Sequence, residues 1–205
     1  YPAQLPDTLF TIVRRLRTGC GMVIAEVDFY NDIYTSSPRK WTNVERDYTA
    51  FRALSEYVSE PGSMLDYGCG NGHTLAFFWS QWPDTIYTGV DISDVALELT
   101  EKRVPGVYTF KELPGGEWDV IVIMGVAEHF KSPITELRYI GEHLSPSGYL
   151  YLEVPNCLVY SNNGYEGFRQ TTSGSGQKEW HWRRDTWEQM IEEAGLEIVK
   201  SYSGS

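Results

Sequence analysis

Residues Trp118–Met124 read WDVIVIM, a run with one charged side chain and six apolar ones. Crossing a bilayer takes about 20 apolar residues, so this run is far too short to span one. A strand without a polar face must instead be covered on both sides, as in a parallel sheet flanked by helices. From residue 63 onward the chain has the alternation such a sheet demands. Ser63–Tyr67 reads as a first strand, Thr74–Trp82 as a helix, and Thr85–Val90 as a second strand. Ser93 caps a helix to Arg103. Val107–Phe110, Trp118–Met124 and Tyr149–Val154 read as strands three to five. Ser132–Pro133 opens a helix with Ile134, Leu137, Ile140 and Leu144 on one stripe. Asp185 and Glu188 are read as capping a last helix, ended by Gly195 and followed by strand Leu196–Tyr202. The fold class is α/β, doubly wound around a mostly parallel sheet.

The 205 residues suit a single domain, 1–205. Residues 1–41, aromatic and without clear period, are expected to form an N-terminal lid, and 42–205 the core. Thr42 and Glu45 make a T-x-x-E capping box for a helix through Ser59, with Tyr48, Phe51, Leu54, Tyr57 and Val58 on its apolar face. Within the core, 156–182 is an insertion after the fifth strand and a second lid segment. Its Thr171–Gly176 portion reads as a mobile loop. Arg14, Arg15 and Arg17 precede a short apolar stretch, but Glu26 and Asp28 break it, so a secretion leader is not expected.

The formal net charge is −11. A nucleic-acid partner would leave a basic footprint, and an anionic membrane would repel this surface, so neither is expected. Cys20, Cys69 and Cys157 are odd in number and form no CxxC pair. A disulfide framework or structural zinc site is therefore not expected, and a reducing cytoplasm fits. Nothing in the sequence specifies an oligomeric state.

The chemistry sits in Met64-Leu-Asp-Tyr-Gly-Cys-Gly-Asn-Gly72, the link from first strand to helix. Gly68, Gly70 and Gly72 let the backbone turn tightly and approach a ligand. A dinucleotide fingerprint, G-x-G-x-x-G, would need glycine at 73, where this chain has His73. The acidic Asp66 beside the turn favours a cation over a pyrophosphate. S-adenosylmethionine carries a sulfonium and an ammonium and meets that requirement. Asp91, in Gly89-Val-Asp-Ile-Ser93 at the end of the second strand, can accept both hydroxyls of a ribose.

The motifs LDYGCGNG, GVDIS, WDVIVIMGVAEHF, LSPSGYLYLEVPN and DTWEQMIEEAGLEIV resemble, in that order, those of class I S-adenosylmethionine-dependent methyltransferases. The likeness runs over about residues 45–202 and is greatest to the group of ubiquinone-type O-methyltransferases and sugar and natural-product methyltransferases. It implies a Rossmann-like fold and a small-molecule acceptor. It also implies that Asp66, Gly68, Gly70 and Gly72 cradle the methionine end of the cofactor. Asp91 then holds the ribose, Ile92 packs on the adenine, and Met124 and Gly125 lie beside the cofactor. Three departures stand out. Thr109 occupies the place of an acidic adenine reader, leaving that role to backbone groups or Glu112. Gly125 stands where some relatives carry the first ligand of a Glu-x-x-Glu-His metal site, so no metal is expected. A seventh strand, usual in the family, does not follow the sixth.

Methyl transfer needs an aligned acceptor and, for a hydroxyl, a base. His129, with Glu128 beside it after the fourth strand, reads either as that base or as a brace for the loop. His181, in Trp180-His-Trp-Arg-Arg184, is the second candidate. His143 and His73 read as structural. Trp41, Tyr30, Tyr34, Trp180 and Trp182 are candidates for an aromatic acceptor wall or a cation–π shield. The acceptor is expected between Tyr30–Trp41 and Asn156–Trp182, above Gly125–His129. The expected activity is methylation of an oxygen or nitrogen of a small molecule. The rival readings are a non-catalytic S-adenosylmethionine-binding module and a protein or RNA methyltransferase.

Overall fold

The computed structural model describes residues 8–15, 27–40, 42–155, 168–172 and 178–203. Its strands are β1 (Thr8–Arg15), β2 (Ser63–Tyr67), β3 (Ile86–Val90), β4 (Tyr108–Phe110), β5 (Trp118–Met124), β6 (Leu144–Pro155), β7 (Phe168–Thr172), β8 (Lys178–Trp182) and β9 (Leu196–Ser203). Its helices are α1 (Val27–Ser36), α2 (Val44–Leu54), α3 (His73–Gln81), α4 (Asp94–Arg103), α5 (Pro133–Gly141) and α6 (Arg184–Glu193), with a 3-10 turn at Ala127–His129. Seven strands share one sheet in the order β4-β3-β2-β5-β6-β1-β9, and β7 and β8 pair separately. This is the doubly wound α/β class the alternation implies.

The chain divides into two compact units, and the first comprises residues 24–122 and 143–149. In it β2, β3, β4 and β5 are joined in parallel, with Leu65 opposite both Thr88 and Ile121. Met64, Leu65, Val120 and Ile121 are fully buried, as strands covered on both faces require. Helices α3 and α4 follow their strands in right order. Ser93 caps α4 as expected, accepting from the Ala96 N–H.

Helix α2 departs from the expected pattern. Asn43, and not Thr42, is its N-cap, accepting from the N–H groups of Glu45 and Arg46. The Thr42 hydroxyl instead donates to the Arg39 carbonyl and closes the preceding turn. The buried face is Asp47, Ala50, Ala53 and Leu54, while Tyr48 is exposed. Phe51 still meets the core, with its ring 5.1 Å from that of Trp82.

The second unit comprises residues 1–23, 123–142 and 150–205. Residues 8–15, expected to belong to a lid, form an interior strand. β1 lies antiparallel between β6 and β9, pairing Ile12 with Tyr151 and Lys200. Leu9, Phe10, Ile12 and Val13 are all buried, so both faces are covered. The place between β6 and β9 is thus filled from the N-terminal side. In α6, Trp187 and Ile191 are buried, and the helix packs on β9. Asp185 does not cap this helix: its carboxylate accepts from the adjacent Thr186 N–H. The 156–182 insertion contains the β7–β8 hairpin, with Arg169 opposite His181. Its expected mobile loop lies largely outside the described residues.

An interior β1 has a direct consequence for stability. Ile12→Ala should cost about 2–5 kcal/mol, the usual range for emptying a filled core site. Arg14→Ala, which removes an exposed pair with Glu197, should cost under about 1 kcal/mol. Urea denaturation of the two variants checks both. Equal and negligible losses would mean that the segment lies outside the sheet.

Candidate active site

Asp91 stands at the carboxyl end of β3 and organises the glycine turn. Its Oδ2 accepts from Gly70 N–H at 2.9 Å and its Oδ1 from Ser93 N–H at 2.9 Å. The turn is further held by Gly68 N–H and Cys69 N–H, both donating to the Val90 carbonyl, at 2.7 and 2.9 Å. Gly70 and Gly72 have φ of 54° and 71°. At Gly72 a Cβ would lie 2.8 Å from the Thr100 Cα, a backbone atom that cannot swing aside. At Gly70 it would lie 2.5 Å from the Tyr34 hydroxyl. Gly70 and Gly72 are therefore bare by necessity. Burial raises the carboxyl pKa of Asp91, and the Ser93, Gly70 and Ile92 N–H groups act against that rise.

Asp66, in β2 below the turn, is 3% exposed. Burial pushes its carboxyl from an ordinary value near 3.8 up to about 8; the Arg46 guanidinium opposes the rise, and the charges of Asp47 and Asp91 add to it. Such a group keeps its proton near neutral pH, and a cation placed beside it favours its ionised form. Arg46, on α2, has its Nε buried without a hydrogen-bond partner among the described residues. The adjacent Asp47 is fully buried but satisfied, accepting from Thr74 Oγ1 at 2.8 Å and meeting His73 Nδ1 at 2.6 Å. His73 therefore shapes the turn, as expected. Neither Arg46 nor Asp47 is legible in the sequence as a site residue, because charged positions on a helix ordinarily face solvent.

The segment 27–40 closes over this turn. Tyr34 is buried, with its hydroxyl against Gly70. Asn31 Oδ1 accepts from Ser93 Oγ at 2.8 Å, and Asn71 Nδ2 donates to the Pro38 carbonyl at 2.8 Å. These contacts hold Asn31 and Pro38, within the expected N-terminal lid, against the turn and the start of α4. Ile92 is half-buried beside Asp91. The Thr109 hydroxyl is engaged by Glu101 of α4.

The other candidates belong to the second unit. Met124 is buried at the end of β5, and Gly125, with φ of 69°, donates its N–H to the Glu153 carbonyl at 3.1 Å. Glu128 is buried and His129 half-buried in the 3-10 turn. Strand β8 packs against that turn, so the backbone brings the strand of His181 beside Glu128 and His129. The His181, Trp41 and Trp180 side chains lie outside the described residues. The Trp182 ring stands edge-on to Trp187 at 5.0 Å. In the first unit His143 is structural, its Nδ1 3.1 Å from the Gly116 carbonyl oxygen.

Residues 41–201 match the family model described as "Methyltransferase domain". The chain belongs to that family. It is 27% identical over 107 residues to trans-aconitate 2-methyltransferase of Rhodopseudomonas palustris (strain BisB18), a match covering 49% of this chain and 41% of that relative. The chain thus spans about two-fifths of that relative's length. The plantazolicin methyltransferase BpumL, solved with a pentazolic desmethylPZN analog and SAH, is similar with TM-score 0.52 and 27% identity, covering 59% of this chain and 51% of that one. The fold is also that of the Burkholderia thailandensis 1,6-didemethyltoxoflavin-N1-methyltransferase, with TM-score 0.64, 17% identity and coverage of 94% and 95%.

For this family member the state of Asp66 sets a pH dependence. Between pH 3.8 and about 8 the unfolded chain has ionised this carboxyl while the folded chain keeps its proton. Its contribution to the stability of the ligand-free protein therefore falls as pH rises across that window. Melting curves of wild type and Asp66→Asn should diverge accordingly, with the variant showing the flatter profile. Parallel profiles would place the titration elsewhere.

Proposed function

We infer that the chain transfers a methyl group from S-adenosylmethionine to an oxygen or nitrogen of a small-molecule acceptor. The observation that carries this reading is the Asp91 carboxylate, fixed by two backbone N–H groups beside a turn that admits no Cβ at Gly70 or Gly72. The residues suit the cofactor's three parts. The buried Asp66 and the turn at Gly68, Gly70 and Gly72 favour its cationic methionine end. The unpartnered Nε of Arg46 suits the carboxylate there. Asp91 is the ribose acceptor, and Ile92 gives the adenine an apolar contact. Met124 and Gly125 are assigned beside the cofactor by the family resemblance. The bound cofactor supplies a methyl group already activated on a sulfonium.

The chain's own task is to orient the acceptor and take its proton. His129 is the assigned base, with Glu128 behind it, and His181 is the second candidate. Gly125 stands in place of the first metal ligand, which supports a metal-independent reaction. The relatives named for trans-aconitate and 1,6-didemethyltoxoflavin support a small acceptor. No described helix is long and apolar enough to cross a membrane, and the scattered cysteines are consistent with action in the cytoplasm.

Calorimetry with S-adenosylmethionine and its demethylated product tests the cofactor site. Asp91→Ala should weaken both by about 1.5–3 kcal/mol, the range for hydrogen bonds to a charged group. Binding of NAD, or an unchanged affinity in the variant, would overturn the assignment. Turnover, measured with a labelled methyl donor over a panel of hydroxylated and amino compounds, should survive chelators. His129→Ala or His181→Ala should lower it at least about tenfold, a conservative share of general-base catalysis. Loss of activity in EDTA with recovery in Mg²⁺ would show instead that Glu128 and His129 bind metal.

A further inference from the structure

The segment 27–40 that lies over the glycine turn meets it at Tyr34 and is also joined to it through the Asn71 amide. Asn71 Nδ2 donates to the carbonyls of Pro38 and Lys40, at 2.8 and 3.3 Å, while Asn71 Oδ1 accepts from Arg103 Nη1 at 2.7 Å. The residue between those two carbonyls is Arg39. Closure therefore brings the guanidinium-bearing residue of the strap and that of α4 to the same side chain. In a protein with 28 acidic and 17 basic residues, a cation ordinarily finds a carboxylate. Among the described residues, neither Arg39 nor Arg103 forms an ion pair. Arg103 is half-buried and Arg39 exposed. Burial, and then the charge of Arg39, disfavour the charged form of Arg103. The strap in this position thus adds the charge of Arg39 to that of Arg103.

We propose that Arg39 and Arg103 form a binding site for a free, doubly charged inorganic oxyanion, phosphate or sulfate, whose binding holds the strap 27–40 closed over the glycine turn. Guanidinium groups present planar forks of donors that suit oxyanions. A dianion between them replaces repulsion by attraction, and it does so only when the strap is closed. By linkage the anion then favours that state. The site is open on the Arg39 side, which suits a free ion exchanging with solvent. No residue assigned to the cofactor or to the base is used.

Hydrogen exchange of residues 27–40 in the full chain, without cofactor, reads the strap directly. A failure here is thus distinct from a failure of the methyl-transfer reading. Sodium sulfate should slow exchange in this segment by about fivefold or more relative to sodium chloride at equal ionic strength, the lower end of ordinary site-to-site coupling. The matched ionic strength removes simple screening. Arg103→Lys keeps a cation and should keep most of the effect. Arg103→Gln and the exposed Arg39→Gln should each lose it while melting as wild type does. Equal effects of chloride and sulfate, or an undiminished sulfate effect in Arg39→Gln, would overturn the proposal.

Discussion

A single carboxylate, that of Asp91, fixes the end of the sheet where the ligand is expected. Burying it is unfavourable unless donors surround it. The chain provides them from two directions: Gly70 N–H from the turn and Ser93 N–H from the start of α4. Each constraint passes outward. The Ser93 hydroxyl caps Ala96 and reaches Asn31 of α1. The Gly70 carbonyl accepts from Thr100 Oγ1 at 3.0 Å, drawing the middle of α4 onto the turn. The turn, the helix and the strap are thus joined by one network of short polar contacts.

The same region gathers negative charge that the structure balances unevenly. Asp47 is met locally by His73 and by the Thr74 hydroxyl. Asp91 relies on backbone dipoles. Asp66 has burial and two like charges against it, and only Arg46 in its favour. An unpaired buried acid is costly, which is why it holds its proton. A cationic charge beside Asp66 would offset that cost, whereas an anionic one would add to it. Electrostatics here does what the missing third glycine of a dinucleotide motif only suggests.

Much of this was legible because its causes are local. The apolar WDVIVIM run, the glycine spacing and Ser93 each act within a few residues of where they stand, and strands β2 to β5 follow from them. What escaped the sequence depends on distant partners. TLFTIVRR is apolar on both faces, so it shows no alternation, and its pairing partners lie at 150–155 and 196–203. Thr42 and Asn43 are both good cap formers, and the choice between them is decided by the Arg39 carbonyl that captures Thr42. Tyr48 looked like a core residue by spacing, yet the buried position is the neighbouring Asp47. Its burial is explained by His73 and Thr74, which meet α2 only in the folded chain.

The position of β1 also answers how the sheet manages its edges. An exposed edge strand invites pairing with other chains, and proteins blunt it by shortness or by charge. Here one edge is β4, only 3 residues long, with Lys111 just beyond it held by Asp94 at 2.8 Å. The other is β9, whose Glu197 forms an exposed pair with Arg14 and whose Lys200 lies 5.9 Å from the Tyr202 ring centre. Without β1, the 12-residue β6 would present an open, largely buried-type edge in which Leu150, Tyr151, Leu152 and Val154 are all fully covered. The apolar character of Leu9, Phe10, Ile12 and Val13 therefore follows from place and not from pattern: an interior strand between two long partners is covered on both faces, with Thr11 a buried polar side chain among them, and the charges of the segment fall at its end, at Arg14 and Arg15.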